Sequence, residues 1–535
     1  MKGRFLVGGL LCGALACSAA EPVEQADPSV PQVPTPQTTA EPEISYLVLA
    51  PRAYAEELAP LLKHRADGGL KVALRDIESI YERRSRGAPS SEALRSEIEE
   101  VAAQPGSKLH FVLLAGDPAA DLPAFMHEPS PWVSREGAYP SDHDYVENAK
   151  VPIAIGRLPA RNEQEIALLV DKTIRYETAE TPGPWQRRTL IFGGPAEMGP
   201  LVDGLIESQA TSLLDQLLPY DYDVNVLFAK KDSPYAFRFD QLSQELVREI
   251  NGGALVAVYA GHGLEQSFDH AYFRGQGYSI GSVPDLAHID VDNGSPFFIS
   301  LTCLTGDYGE PRERSVAETM LLRPRGPIAI FASSGVSHPY PNLLYARLLI
   351  EGLLGERAAS VGDAVLRAKK ELPESSMPFA QLFVPGDHRE IKESHLHLYN
   401  LLGDPALKLR LPGTLKVSLP PGGVAAGTRV DVEVQGATAD AAYTATVETE
   451  RVAVKAGIVT PDRLDEMPLD VAFSTMSKNH AIANDKVLST VNGRFKSGNE
   501  KLTLTAPKQP GRYVVKVLSV ADRGVAVGHV RFTIQ

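Results

Sequence analysis

The sequence predicts an α/β protein whose two-part parallel-sheet region is followed by a C-terminal β-sandwich. Three observations carry this. Apolar runs alternate with helical periodicities from residue 45 to 411, Pro182-Gly183-Pro184 interrupts that alternation, and past Leu411 short β-branched runs sit between Gly and Pro turns. A chain of 535 residues suits several folded units rather than one core.

The first part, 45–183, opens with Tyr46-Leu-Val-Leu-Ala50 as a strand and continues with strands at 71–74 and 109–115. Helices are expected at 54–64, 91–103 and 163–177. The second part, 184–411, has apolar strand runs at 189–193, 223–229, 254–260, 297–303 and 327–333. Helices are expected at 201–218 and 239–250, the latter with Leu242, Leu246 and Ile250 on one face. Strands alternating with helices imply a parallel sheet covered on both sides. Residues 412–535 hold the sandwich, with strands at 429–434, 443–447, 501–505, 513–518 and 529–534.

The N-terminus reads as an export signal, 1–17. Lys2 and Arg4 precede an apolar run from Phe5 to Ala16, shorter than the about 20 residues of a membrane span. Ala14-Leu15-Ala16-Cys17 resembles a bacterial lipobox with Ala in place of its usual first Leu, which makes Cys17 the expected lipidation site. Cleavage after Ala16 or Ala20 would instead release a secreted protein. Residues 18–44 hold Pro22, Pro28, Pro31, Pro34, Pro36 and Pro42 and no aromatic, so they form an extended tether. Lys and Arg number 53 against 67 Asp and Glu, a net charge of −14 that excludes nucleic acid as a partner held through its phosphates. Membrane contact is expected through the lipid anchor alone.

After processing Cys303 is the single thiol, so no internal disulfide forms, and a lone thiol in an exported chain invites a reactive reading. The bland alternative is an inert buried cysteine. Two apolar strands end suggestively: 254–260 runs into Gly261-His262-Gly263, and 297–303 ends on Cys303. In an open parallel sheet, functional side chains gather at the carboxyl ends of strands, so His262 and Cys303 converge if those strands are neighbours. A free thiol with a pKa of about 8.5 is a poor nucleophile at neutrality, and an imidazole near about 6.5 can take its proton and pass one to a leaving amine. The N–H groups of Gly263 and Cys303 are candidate oxyanion donors, and the glycines beside His262 permit close approach to substrate.

At this point the sequence resembles the gingipain-type cysteine peptidases, in the same clan as caspases and legumain. The resemblance rests on Gly261-His262-Gly263, Leu301-Thr302-Cys303-Leu304-Thr305-Gly306-Asp307 and Tyr399-Asn400-Leu401-Leu402-Gly403-Asp404-Pro405. Upstream it rests on Leu113-Leu-Ala-Gly-Asp117, Ser141-Asp142, Pro152-Ile-Ala-Ile-Gly-Arg-Leu-Pro159, and Asp171-Lys172 through Tyr176-Glu177. It spans residues 45 to 411, with the sandwich similar to the Ig-like module that follows such units. It implies a caspase-like α/β fold, endopeptidase activity on proteins or peptides, Cys303 as nucleophile, His262 as proton-transfer residue and no required cofactor. Structural calcium is common in the family, although the sequence holds no D-x-[DN]-x-[DN]-G loop. Relative to Gly193-Gly194-Pro195, Asp203 occupies the position of the acid in the specificity pocket of arginine-directed members. A first-turn helix acid is the alternative account of Asp203. Phe192 replaces the family's acid near the catalytic histidine, so either another acid such as Glu197 orients His262 or the site is a simple dyad.

Gly403-Asp404-Pro405 reads as a closing turn and Asp307 as structural. Gly277-Tyr278-Ser279-Ile280-Gly281 fits an esterase elbow pattern but lacks its strand–helix context and reads as loop. His395 and His397 would share one face of a strand without a third ligand at zinc spacing, so no metal site is expected. The sequence therefore describes an exported, outer-membrane-anchored cysteine endopeptidase, the alternative being an inactive envelope scaffold on a peptidase fold. Lipidated protein is expected to fractionate with membranes; soluble protein beginning at Ser18 or Glu21 would refute the anchor.

Overall fold

The computed structural model describes residues 43–120, 122–129, 137–195, 215, 218–377, 388–421 and 423–535. Cys17, Glu197 and Asp203 lie outside the described residues, as do the leader and nearly all of the tether and of the 201–218 helix.

Ten strands form one sheet: β1 (Tyr46–Ala50), β2 (Val72–Asp76), β3 (Phe111–Ala115), β4 (Ala154–Leu158), β5 (Arg188–Gly193), β6 (Asp223–Phe228), β7 (Val256–Ala260), β8 (Phe297–Leu301), β9 (Ala329–Ser333) and β10 (Tyr399–Leu402). Their spatial order is β2-β1-β3-β4-β10-β9-β8-β7-β5-β6. Every residue of β1, β3, β8 and β9 is buried, as expected of strands covered on both faces. The period of two divides them cleanly: Tyr46 and Val48 join one core while Leu47 and Leu49 join another, and Phe298 and Phe297 separate in the same way.

The two parts expected from sequence are joined rather than separate. All neighbouring pairs run parallel except β9 and β10, which pair antiparallel from Ile330↔Leu402 to Ser333↔Tyr399. β10 then runs parallel to β4, with Leu402 opposite Arg157. The halves of the sheet therefore point in opposite directions, and β10 is the seam. Residues 395 and 397 lie on a helix, His388–Leu398, not on a strand face, because Ile391, His395 and Leu398 are buried at helical spacing. The first three residues of the 277–281 segment are strand rather than loop. Residues Gln276–Ser279 pair with His270–Phe273 in a hairpin whose tip, Arg274 and Gly275, has φ of 51° and 77°, the positive values a tight hairpin turn needs.

Buried charge fastens the seam. Arg65 contacts Asp404 through Nε at 2.8 Å and Nη2 at 2.7 Å, and Glu177 through Nη1 at 2.7 Å, while the Tyr46 hydroxyl donates to Asp404 at 3.0 Å. The expected closing turn is thus also an anchor. Arg157, fully buried, pairs with both oxygens of Asp142 at 2.8 and 2.6 Å and lies 5.0 Å from the Tyr308 ring.

The C-terminal domain has β11 (Gly413–Thr414), β12 (Lys416–Ser418), β13 (Arg429–Gln435), β14 (Ala442–Thr449), β15 (Val487–Arg494), β16 (Asn499–Thr505), β17 (Gly511–Ala521) and β18 (Gly524–Ile534). They form a sheet β11-β18-β17-β14-β15 and a sheet β12-β13-β16 around Val432, Val434, Val447, Phe495, Leu502 and Val517. Two helices, Pro461–Glu466 and Leu469–Asn484, interrupt it between β14 and β15. They pack on the α/β region: Phe473 lies 5.7 Å from Phe273 and 5.6 Å from Tyr278, and Arg274 donates to the carbonyls of Leu464 and Met467 at 2.9 and 2.6 Å. Asn484 accepts from the N–H of Val226 at 2.8 Å and donates to its carbonyl at 2.9 Å. Removing everything after Leu411 would therefore uncover Phe273 and Tyr278.

Asp404→Ala leaves Arg65 with a buried, partly uncompensated charge, and a loss of about 3–5 kcal/mol in urea unfolding is expected. A loss below about 1 kcal/mol would show that the pair does not fasten the seam.

Candidate active site

The strands bearing the two predicted residues are neighbours. β7 and β8 pair in parallel with Ala260 opposite Leu301, so His262 and Cys303 each stand two residues beyond a paired strand end. The Gly261 N–H donates to the Leu301 carbonyl at 3.4 Å and carries this alignment past the ladder. His262 is exposed and Cys303 half-buried, so solvent reaches both.

Two glycines let the histidine turn fit. A Cβ on Gly261 would come within 2.9 Å of Gly194 Cα, at the end of β5. One on Gly263 would lie 2.8 Å from Thr305 Cγ2 and 3.0 Å from the Cys303 carbonyl oxygen. Any larger residue would push the turn away from the cysteine segment. The Tyr259 hydroxyl donates to the His262 carbonyl at 3.0 Å, and its ring stacks on Phe268 at 4.0 Å. The histidine turn is thus held on both sides and from beneath.

The cysteine turn is held as firmly. Leu304 takes φ of 58°, costly for a branched side chain, while the Thr305 N–H closes back on the Cys303 carbonyl at 2.6 Å. The Leu304 N–H donates to Gly335 O at 3.0 Å and the Gly306 N–H to Ser333 O at 2.8 Å, which ties the turn to the end of β9. The Ser337 N–H points at Cys303 Sγ at 3.4 Å and the Ser337 carbonyl lies 3.6 Å from it. The sulfur therefore has both a donor and an acceptor.

Sequence reasoning did not single out the shell behind Ser337. Asn342 Nδ2 donates to Ser337 Oγ at 2.9 Å, and the Tyr399 hydroxyl donates to Asn342 Oδ1 at 2.7 Å. The adjacent His338 N–H donates to His395 Nε2 at 2.7 Å, while His395 Nδ1 lies 2.6 Å from the Ile391 carbonyl. That arrangement requires a neutral ring protonated on Nδ1, and burial pushes its pKa down to about 3. His395 is thus a support for the cysteine loop. Its only sequence signal is the helical spacing of Ile391, His395 and Leu398.

Asp307, four residues past the cysteine, accepts from the Gly309 N–H at 2.8 Å. Burial, with Glu265 and Glu310 adding like charge, pushes its carboxyl up to about 6. Phe192 is buried in the core opposite Tyr259, so no carboxylate occupies its position. Among the described residues, one group of three or more His, Cys, Asp and Glu side chains has ligand atoms within 4.8 Å of one another: His127, Asp144 and His397. Two of its donors are imidazoles, so it does not suit calcium, which takes oxygen ligands.

Comparison with known proteins places these features in a family context. The chain is 23% identical over 389 residues to Gingipain R2 of Porphyromonas gingivalis strain W83, covering 70% of this chain and 47% of that protein. It is 22% identical over 387 residues to Gingipain R1 of Porphyromonas gingivalis, covering 70% and 35%. The chain thus spans less than half the length of these curated relatives. The crystal structure of the Arg-specific cysteine proteinase gingipain R superposes with a TM-score of 0.54 at 18% identity, over 92% of this chain and 98% of that one. The complex of pro- and mature domains of the Porphyromonas gingivalis protein gives 0.53 at 17%, over 92% and 100%. These structures share the fold, and since the profile of peptidase family C25 matches residues 39–410, the chain belongs to that family.

Proposed function

We propose that this protein is an exported cysteine endopeptidase with Cys303 as nucleophile and His262 as proton-transfer group. The observation that carries the reading is the equivalence of the two positions, each two residues beyond the Ala260–Leu301 pair at adjacent carboxyl ends. Family C25 membership supports it. In the reaction the Cys303 thiolate adds to the scissile carbonyl carbon, and its oxygen takes up the negative charge. The N–H groups of Gly263 and Cys303 are assigned to that oxyanion. The His262 imidazolium then gives its proton to the leaving amine, and water, deprotonated by the same ring, hydrolyses the thioester.

With Phe192 in place of an acid, the pair works as a dyad, and Tyr259 orients the histidine through its backbone carbonyl. A relative described as Arg-specific supports assigning Asp203 to a pocket for arginine, where a carboxylate would pair bidentately with the guanidinium. The two-sheet C-terminal domain is read as the Ig-like module of this family. Cys17 is assigned as the lipid anchor to the outer membrane, and no described helix is long and apolar enough to cross a membrane. A second reading, an inactive envelope scaffold, draws its support from Phe192.

Cys303→Ala and His262→Ala are each expected to lower kcat/KM on arginyl peptides by about three orders of magnitude or more, without change in the circular dichroism spectrum. Wild-type turnover in Cys303→Ala would refute the mechanism; no cleavage by the wild type, with or without removal of N-terminal residues, would favour the scaffold.

A separate expectation concerns pH. Because the folded carboxyl of Asp307 titrates near about 6 against an ordinary 3.8, its stabilising contribution is complete below pH 4 and is lost as pH rises through 6. Asp307→Asn, which keeps the acceptor for Gly309, should raise the melting temperature at pH 8 and leave it unchanged at pH 4. Equal effects at both pH values would contradict the assignment.

A further inference from the structure

We propose that His127, Asp144 and His397 form a binding site for a divalent transition metal of the zinc class, which clasps the His388–Leu398 helix to the N-terminal half of the sheet. The three residues come from separate elements: the short strand Phe125–His127, the turn His143–Tyr145, and the last turn of that helix. His127 Nε2 lies 2.9 and 2.8 Å from the two oxygens of Asp144, and His397 Nδ1 lies 3.2 Å from Oδ2. The two imidazole centroids are 4.2 Å apart. Tetrahedral zinc with bonds of about 2.0–2.1 Å sets neighbouring donors about 3.4 Å apart, so small rotations of these side chains admit the ion.

Charge favours a cation there. Asp144 is 9% exposed, and among the described residues neither Lys nor Arg forms an ion pair with it; its hydrogen-bond partners are the two imidazoles. With both rings unprotonated the Asp144 carboxylate keeps a negative charge that a dication would neutralise, although the buried Lys369 ammonium also acts on it electrostatically. His397 Nε2 lies 3.9 Å from Glu147 Oε1, beyond hydrogen-bond distance but within reach of a carboxylate rotation that would orient a metal-bound ring, and the His143 ring packs edge-on against His397 at 5.2 Å. A cavity of about 480 Å³ lies beside the site, lined by Asp142, His143, Glu147, Lys369 and Leu396. Two imidazoles and one carboxylate with room for a water select zinc, cobalt, nickel or copper over calcium or magnesium.

The clasp would be structural rather than catalytic. The helix whose last turn holds His397 also carries His395, which holds the His338 N–H beside the loop touching Cys303. Fixing the helix end fixes that support.

The test uses the full chain carrying Cys12→Ala, Cys17→Ala and Cys303→Ala, free of affinity tags and stripped with chelator, so that no thiol competes for metal. One equivalent of zinc is expected by isothermal titration, with a rise in melting temperature, and cobalt should give the visible absorption of a tetrahedral site. His127→Gln and His397→Gln, which keep side-chain size and hydrogen bonding, should each weaken zinc binding at least about tenfold. Asp144→Asn should do the same. Calcium should not compete for this site. Zinc stoichiometry unchanged in the two histidine variants, absence of binding at micromolar zinc, or displacement by calcium would each overturn the proposal.

Discussion

The antiparallel pairing of β9 with β10 is the constraint on which the rest of the structure depends. Without it the two halves would be independent parallel sheets with edges facing each other. Four residues close the gap, and each has a further task. Tyr399 reaches Asn342 behind the cysteine loop, and Asn400 accepts from the Asp142 N–H at 2.9 Å while its amide donates to Ser334 Oγ at 3.2 Å. Leu401 and Leu402 fill the cores on opposite faces. Immediately after, Gly403 at φ of 143° turns the chain so that Asp404 meets Arg65 and Tyr46. A strand this short is held by its neighbours more than by its own propensity.

That dependence explains what the sequence disclosed and what it withheld. β1, β3 and β8 are uninterrupted apolar runs, and a strand buried on both faces leaves that signature whatever surrounds it. His262 and Cys303 were legible because each sits just past such a run. β10 was not, since Asn400 breaks its apolar character and the preceding Ile391, His395 and Leu398 look strand-like only if their spacing of three and four is ignored. Ser337, Asn342 and His395 meet only once β10 is in place, so no local pattern announces them. The inserted helices leave a weaker signal: Phe473, Met476 and His480 recur at helical spacing, but the neighbouring Gly and Pro turns carry the pattern of a strand-rich domain.

The halves are also joined by polar groups withdrawn from water. Lys172, 2% exposed, donates to the carbonyls of Pro327 at 2.9 Å and Arg323 at 3.3 Å and also to that of Leu321, so a helix of the first half grips the turn leading into β9. Burial pushes its ammonium down to about 7. Arg157 binds the carbonyls of Gly116 and Leu122 at 2.8 and 3.0 Å besides its pairing with Asp142. Such groups add little net stability over apolar packing, yet each is costly to leave half-made. They therefore penalise any misregistered closure of the sheet and favour the one arrangement in which the cysteine and histidine turns abut.

Among the described strands, β6 ends the sheet on the side of the C-terminal domain, and the Asn484 amide imitates a strand against it by engaging both backbone groups of Val226. A side chain can answer one residue of a ladder but offers no ladder of its own to the next molecule. The helix insertion thus terminates the sheet chemically as well as sterically. A chain that lost the insertion would present a live strand edge, and its characteristic failure would be growth into oligomers through β-addition rather than simple loss of fold.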